Sequence, residues 1–134
     1  MGGWINFEGT KNKDPFVDDI SFCDIVKHNG YHCEKHHVTT DDGYILQMFR
    51  IRSPRTYIIT RLYKGLAPAV LLQHGLTCSS DIFIMSDRDR SVPFRLASAG
   101  YDVWLGNNRG NKYSRKHVSL DPDKENQLFF DFSF

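Results

Sequence analysis

The sequence predicts an α/β fold in which an antiparallel hairpin leads into a βαβ unit of a mainly parallel sheet. Three observations predict it. The turn signal Asp41-Asp42-Gly43 separates two stretches rich in β-forming residues, 36–40 and 44–51. The near-continuous apolar run Ala67-Pro68-Ala69-Val70-Leu71-Leu72-Gln73 has the composition of a strand buried on both faces of a parallel sheet. A helix-like segment from Val92 to Ala99 then leads to a second apolar run, Tyr101-Asp102-Val103-Trp104-Leu105. Strand, helix, strand in that order is a βαβ unit.

Each element has a local reason. Residues 1–15 read as a polar lead, and residues 16–134 as one domain. Within Asp18 to Val26, apolar residues at 20, 22/23 and 25/26 and acidic residues in the first turn predict a short amphipathic helix, which Gly30 is placed to end. The hairpin follows. From Ser53 to Leu66, Pro54 and Gly65 punctuate a stretch whose Tyr57–Tyr63 portion is strand-like in composition, which predicts a connecting loop with an extended stretch. Asp81, Asp87, Arg88, Asp89 and Arg90 read as a solvated run around a helix start. Pro93 suits a first helical turn, and Gly100 suits the position after a helix end. Phe94 and Trp104 are expected in the core.

The chain's 134 residues give the length of an ordinary domain, able to bury roughly two-thirds of its unfolded surface. Ten Phe, six Tyr and two Trp are too many aromatics for a solvated coil. Seventeen Lys and Arg against sixteen Asp and Glu leave a net charge of +1, which supplies no overall field toward nucleic acid or an anionic membrane. No apolar run approaches the length of a transmembrane helix. The first residues lack the apolar region of a signal peptide, and Asn6 stands where N-myristoylation needs Ser or Thr. Cys23, Cys33 and Cys78 are too few for a disulfide framework, although one bridge plus a free thiol is compatible with them.

Chemistry is most concentrated where the apolar strand ends in Gln73-His74-Gly75-Leu76-Thr77. Ligands in open α/β sheets sit at the carboxyl ends of strands, and a glycine there lets the backbone turn sharply and aim N–H groups at a developing oxyanion. A structural glycine turn would look the same. The second strand ends in Gly106-Asn107-Asn108-Arg109-Gly110-Asn111, a polar loop that is not a Walker A motif. Asn107 and Asn111 are expected to satisfy their own loop's backbone, and Arg109 to make a buried fork to a carboxylate or to carbonyls. Cys23, His28, His32, Cys33, His36 and His37 fall within fifteen residues, a density that suits zinc. Against it, Gly30 interrupts the His28/His32 pair, His36 and His37 point to opposite strand faces, and no C-x-x-C is present.

Several segments together resemble the N-terminal part of the acid lipases, the gastric and lysosomal lipase family of the α/β-hydrolase superfamily. They are residues 29–34 (Asn-Gly-Tyr-His-Cys-Glu), 38–46, 70–76 (Val-Leu-Leu-Gln-His-Gly-Leu), 97–111, 114–117 (Ser-Arg-Lys-His) and 129–134. The resemblance implies the N-terminal part of an α/β-hydrolase fold and a serine carboxylic-ester hydrolase acting on acylglycerols or sterol esters. By position, the backbone N–H of Leu76 becomes one oxyanion-hole donor, with His74 and Gly75 shaping its loop. The family's nucleophile, acid and base have no matching positions here. Ser98 in Leu96-Ala97-Ser98-Ala99-Gly100 lacks the first glycine of a G-x-S-x-G elbow and precedes a strand where an elbow must follow one. The family's elbow lies beyond the point matching Phe134, so the fold is expected to be incomplete and the chain inactive alone. His117 matches a structural position.

No cofactor and no metal ligand are expected, and the partner implied is a lipid ester, not nucleic acid. Family members enter the secretory path. With the nucleophile's strand absent, Ala69–Gln73 is expected to form a bare apolar edge through which the chain self-associates. The alternatives are a non-enzymatic small binding or structural domain and, behind it, a His/Cys zinc module.

Overall fold

The computed structural model describes residues 21–124. In chain order the elements are α1 (Phe22–His28), β1 (His32–Thr39), β2 (Tyr44–Arg52), α2 (Pro54–Leu62), β3 (Ala69–Gln73), a 3-10 turn (Ser80–Phe83), α3 (Val92–Ser98), β4 (Asp102–Gly106) and β5 (Lys116–His117). The strands form one sheet in the order β1-β2-β4-β3, with β5 added alongside the start of β2. The hairpin β1/β2 is antiparallel, β2 and β4 are antiparallel, and β3 and β4 are parallel with Val70 beside Val103 and Gln73 beside Gly106. This is the expected hairpin feeding a βαβ unit.

Local chemistry sets the element ends. Ser21 caps α1 reciprocally: its hydroxyl accepts from the Asp24 N–H, and the Asp24 carboxylate accepts from the Ser21 N–H at 3.1 Å. Gly30, at φ 88°, takes the left-handed conformation that ends the helix. The expected helix start at Asp18 lies outside the described residues, as do the polar lead and the 129–134 segment. In the hairpin turn Gly43 sits at φ 94°, and a Cβ there would overlap the His117 ring and Val118, so both conformation and space require glycine.

Three expectations change. β1 begins at His32 rather than His36, because Ile51 and Arg52 at the end of β2 extend the ladder back to Cys33 and His32. The stretch after Ser53 is a helix, not a loop with an extended portion. Ser53 caps it by accepting from the Thr56 N–H at 3.1 Å, and Pro54 opens its first turn. Strand-like composition at Tyr57–Tyr63 yields to packing on the end of β2. Finally, β3 is not buried on both faces: Leu71 is 60% exposed, because among the described residues β3 has β4 on one side only.

Alternation along the strands separates two unlike faces. Phe49, Ile51, Val103 and Leu105 point toward α1 and α3, where they join Phe22, Val26, Tyr31, Phe94 and Ala97 in the core. The Phe22 and Phe49 rings stack at 4.0 Å, and Tyr31 stacks on Phe94 at 4.8 Å. The opposite face is ionic. Arg50 forks onto Asp102 at 2.8 and 2.6 Å and reaches Glu34 at 3.4 Å, while Arg52 also pairs with Glu34. Burial acts to raise the Glu34 carboxyl. The His36 hydrogen bond and the charges of Arg52 and Arg50 outweigh it and hold that carboxyl below the ordinary glutamate value. Trp104 belongs to this face, half-buried under the Arg50 guanidinium at 4.9 Å, so it is not in the core beside Phe94.

Cys23 and Cys33 form a disulfide that ties α1 to β1, leaving Cys78 as the free thiol. Two of the six residues in the zinc alternative are thereby bonded to each other, and among the described residues no group of His, Cys, Asp or Glu is arranged to hold a metal ion. Cys23 and Cys33 are ten residues apart, and closing a loop of that size is worth about 2.7 kcal/mol by the chain-entropy relation. Replacing both with Ser is therefore expected to lower the unfolding free energy by about that amount. Urea titration of the oxidised chain and of the double variant checks this; equal midpoints would refute it.

Candidate functional site

Parallel pairing of β3 with β4 delivers two loops to one edge of the sheet, 74–79 after β3 and 107–115 after β4. This is the carboxyl end, where open α/β sheets place their chemistry. His74 is buried and joins the loops. Its Nε2 accepts from the Asn108 backbone N–H at 3.0 Å and lies 3.2 Å from the Asn111 amide. Because a backbone N–H can only donate, Nε2 carries no proton, and Nδ1–H donates to the Gly75 carbonyl at 2.7 Å. The imidazole thus shapes the turn as a neutral spacer with both nitrogens occupied.

The turn itself runs from Gly75 to Cys78, closed by the Cys78 N–H to the Gly75 carbonyl at 3.2 Å. Its third residue, Thr77, sits at φ 64°. The sharp turn expected from Gly75 does not bend there: Gly75 has no positive φ, and the β-branched Thr77 carries the left-handed conformation at a cost of order 1–3 kcal/mol. Gly75 borders open space: apart from its chain neighbours nothing lies within 4 Å of where its Cβ would be, so neither φ nor room demands glycine there. Leu76, second in the turn, projects a 76% exposed side chain, and among the described residues its N–H meets no acceptor. The closing bond of such a turn joins the first residue's carbonyl to the fourth residue's N–H, so the second residue's N–H takes no part in it.

Behind the turn lies a buried polar hub. Asn107 accepts at Oδ1 from the Ser80 N–H at 3.0 Å and from the Asn111 amide at 2.9 Å, and donates to the Gln47 carbonyl of β2 at 3.1 Å. Ser114, fully buried, donates to the Asn107 carbonyl and accepts from the Gln47 N–H, both at 3.0 Å. Contrary to expectation, the Asn107 side chain meets no backbone group of its own loop: it serves the distant Ser80 and Gln47 and, within the loop, the Asn111 side chain. Asn111 does both: its oxygen accepts from the N–H groups of Tyr113 and Ser114, while its amide reaches Asn107 and His74. Gln73 donates to Asn108 at 2.7 Å and lies over Gly106, where a Cβ would overlap its amide.

The other singled-out residues are structural. Arg109 forks onto Asp42 at 2.7 and 3.3 Å and covers the Tyr44 ring at 3.9 Å, but its carboxylate partner is half-exposed rather than buried. Hydrogen bonds from the Thr40 hydroxyl and Arg109 hold the Asp42 carboxyl below the usual range. His117 donates from Nε2 to the Asp42 carbonyl and accepts at Nδ1 from the Ser119 and Leu120 N–H groups, which closes the loop end on the hairpin. Ser98 lies 2.6 Å from the Tyr31 hydroxyl at the end of α3. Asp87 to Arg90 are exposed as expected, but Asp81 is not free: it accepts from the Tyr113 hydroxyl at 2.5 Å and pairs with Lys112. Burial, reinforced by Asp81, pushes the Tyr113 phenol up to about 12.

Asn107, Ser114, Ser80 and the Asp81–Tyr113 contact were not singled out for these roles by sequence, and the readable hint was the Asn107-Asn108 pair, with Asn111 three residues on, directly after a buried strand. Asn107→Ala leaves the buried Ser80 N–H and Gln47 carbonyl unpaired and is expected to cost about 3 kcal/mol. It should also raise amide exchange across 75–80, and unchanged exchange there would contradict the hub's role. Because the folded chain holds the Tyr113 proton more tightly than the ordinary value of 10.0, this group's contribution to stability is full below that pH. It disappears as pH rises through about 12. Ultraviolet titration should show a late phenolate component that Tyr113→Phe removes.

Comparison with known proteins gives this arrangement a family. Residues 22–87 match the partial alpha/beta-hydrolase lipase region. Lipase 1 of Drosophila melanogaster is 48% identical over 115 residues, which cover 86% of this chain and 23% of that lipase. Human Lipase member M is 43% identical over 125 residues, 93% of this chain and 28% of the relative. The gastric triacylglycerol lipase of Rattus norvegicus is 41% identical over 116 residues, 87% and 28% respectively. The chain thus spans about a quarter of the length of these curated relatives. With the partial α/β-hydrolase sheet and the segments that resemble acid lipases, these matches show that the chain belongs to the gastric-lipase-like family of the α/β-hydrolase superfamily and carries its N-terminal region.

Proposed function

We propose that residues 16–134 supply the oxyanion loop of a serine carboxylic-ester hydrolase acting on acylglycerols or sterol esters. The observation that carries the reading is the Gly75–Cys78 turn at the carboxyl end of β3, with the Leu76 N–H unbonded among the described residues. In the acyl-transfer reaction a serine attacks the ester carbonyl, and the tetrahedral oxyanion needs donors already aimed at it. Leu76 donates one such N–H, His74 fixes the turn through its bonds to Gly75 and Asn108, and Gly75 supplies the carbonyl on which the turn closes. Donors held by buried groups need no reorganisation as charge develops, which is why a rigid hub behind the turn suits the role.

The sequence contains no G-x-S-x-G, and among the described residues no serine occupies a strand–turn–helix elbow, so this chain alone is expected to show no triad-dependent hydrolysis of a p-nitrophenyl ester. Hydrolysis that copurifies with the chain and disappears in Ser98→Ala would overturn this. Fused ahead of the remaining three-quarters of the rat gastric lipase relative, the chain is expected to restore esterase activity. In that fusion Leu76→Pro, which deletes the donor, should lower kcat on the order of 10²–10³-fold. An undiminished kcat with an intact fold would remove Leu76 from the oxyanion hole.

The single-sided pairing of β3, with Leu71 exposed, further supports self-association of the isolated chain along that edge. Leu71→Lys should raise the monomer fraction in sedimentation velocity. A concentration-independent monomer in the unaltered chain would refute it.

A further inference from the structure

α2 sets hydroxyl groups against the sheet and leaves aliphatic side chains outside, among exposed cations. Its polar side faces the sheet: Thr56 is buried, the Thr60 hydroxyl accepts from Arg52 at 2.7 Å, and the Tyr57 ring lies 4.8 Å from the Arg52 guanidinium and 3.9 Å from the His32 ring. The reason is Arg52, whose nearly buried cation at the end of β2 needs polar and aromatic partners. The helix must then turn its apolar residues outward. Ile58 is 56% exposed and Leu62 is 67% exposed, followed in the adjoining turn by Tyr63 and by Leu66 at 66%.

The charge around this apolar strip is one-sided. Residues 43–80 contain five Arg and Lys and no Asp or Glu, although the whole chain is nearly neutral. Arg50 and Arg52 meet Glu34 and Asp102 on the sheet. The other three, Arg55, Arg61 and Lys64, are exposed, and among the described residues none has a carboxylate within ion-pairing distance. Arg55 shares the helix side of Ile58 and Leu62, spaced three and seven positions on. A protein segment laid over that side would bury an arginine with no anion from this chain, at considerable desolvation cost.

We infer that α2 and the Tyr63–Leu66 turn form a docking surface for an anionic lipid bilayer, independent of the acyl-transfer reading. Ile58, Leu62 and Leu66 enter the boundary between headgroups and acyl chains, and Arg55, Arg61 and Lys64 meet lipid phosphates and carboxylates along its rim. α2 leaves the sheet at Arg52, beside the first residue of β4, whereas the loops of the candidate site lie at the last. Docking through α2 therefore leaves the site end of the sheet uncovered.

The test is cosedimentation of the full 134-residue chain with vesicles of phosphatidylcholine alone or phosphatidylcholine mixed with phosphatidylserine. Binding is expected with the mixed vesicles, to weaken with added salt, and to be slight with the neutral ones. Each cation removed should weaken binding about fivefold, and Arg55→Ala/Arg61→Ala/Lys64→Ala together on the order of a hundredfold. Ile58→Ser/Leu62→Ser should weaken it with the salt dependence retained, and circular dichroism should show both variants folded. In the unaltered chain, vesicles should protect amides of 55–66 from exchange and leave 75–80 unaffected, a readout that needs no variant. No binding to mixed vesicles, equal binding to both kinds, binding indifferent to either variant, or protection outside α2 and its turn would each overturn the inference.

Discussion

The Asn107 side chain carries an acceptor and a donor into a place that water does not reach, and each is taken by another segment of the chain. Its oxygen holds the Ser80 N–H and the Asn111 amide, and its nitrogen holds the Gln47 carbonyl of the central strand. In an apolar setting an amide left without partners costs more than a made hydrogen bond contributes, so the arrangement is close to all-or-none. The loop after β3, the loop after β4 and the middle of β2 either meet around this amide or none sits where it does. His74 then tunes the front of the turn from a position the hub has already fixed.

The two faces of the sheet solve different problems. One is an ordinary core of stacked rings and branched aliphatics against α1 and α3, stabilised by burial. The other places two arginines beside two carboxylates under Trp104, where each charge is tolerable because the others are present. That ionic face fixes the outward turn of α2, since Arg52 claims the helix's hydroxyls and its tyrosine. A choice made on β2 thus decides what the molecule shows to its surroundings some distance away.

Much of this was legible in the chain itself. Asp41-Asp42-Gly43, the apolar run ending at Gln73 and the Pro93–Gly100 bracket of α3 act within a few residues, so they read correctly. The six segments that resemble acid lipases carried the family for the same reason: they are local strings in a fixed order. What escaped depends on partners far along the chain. α2 is helical despite Tyr-Ile-Ile-Thr because Arg52 receives it, and Asn107 looked like a loop residue because Gln47 is 60 positions away. Asp81 looked solvated because Tyr113 and Lys112 are remote in sequence. The left-handed Thr77 carries no glycine to mark it in the sequence, and the bonds from His74 and Cys78 that close on the Gly75 carbonyl appear only in the folded turn.

Pairing Cys23 with Cys33 has a practical side. It leaves a single free thiol, Cys78, half-exposed at the last position of the turn that presents Leu76. A maleimide fluorophore added to the oxidised protein has one address, two residues from the Leu76 amide and reached without engineering. The molecule comes with its own reporter at the place where its chemistry is most in question, and Trp104 on the neighbouring strand is a natural energy donor for it.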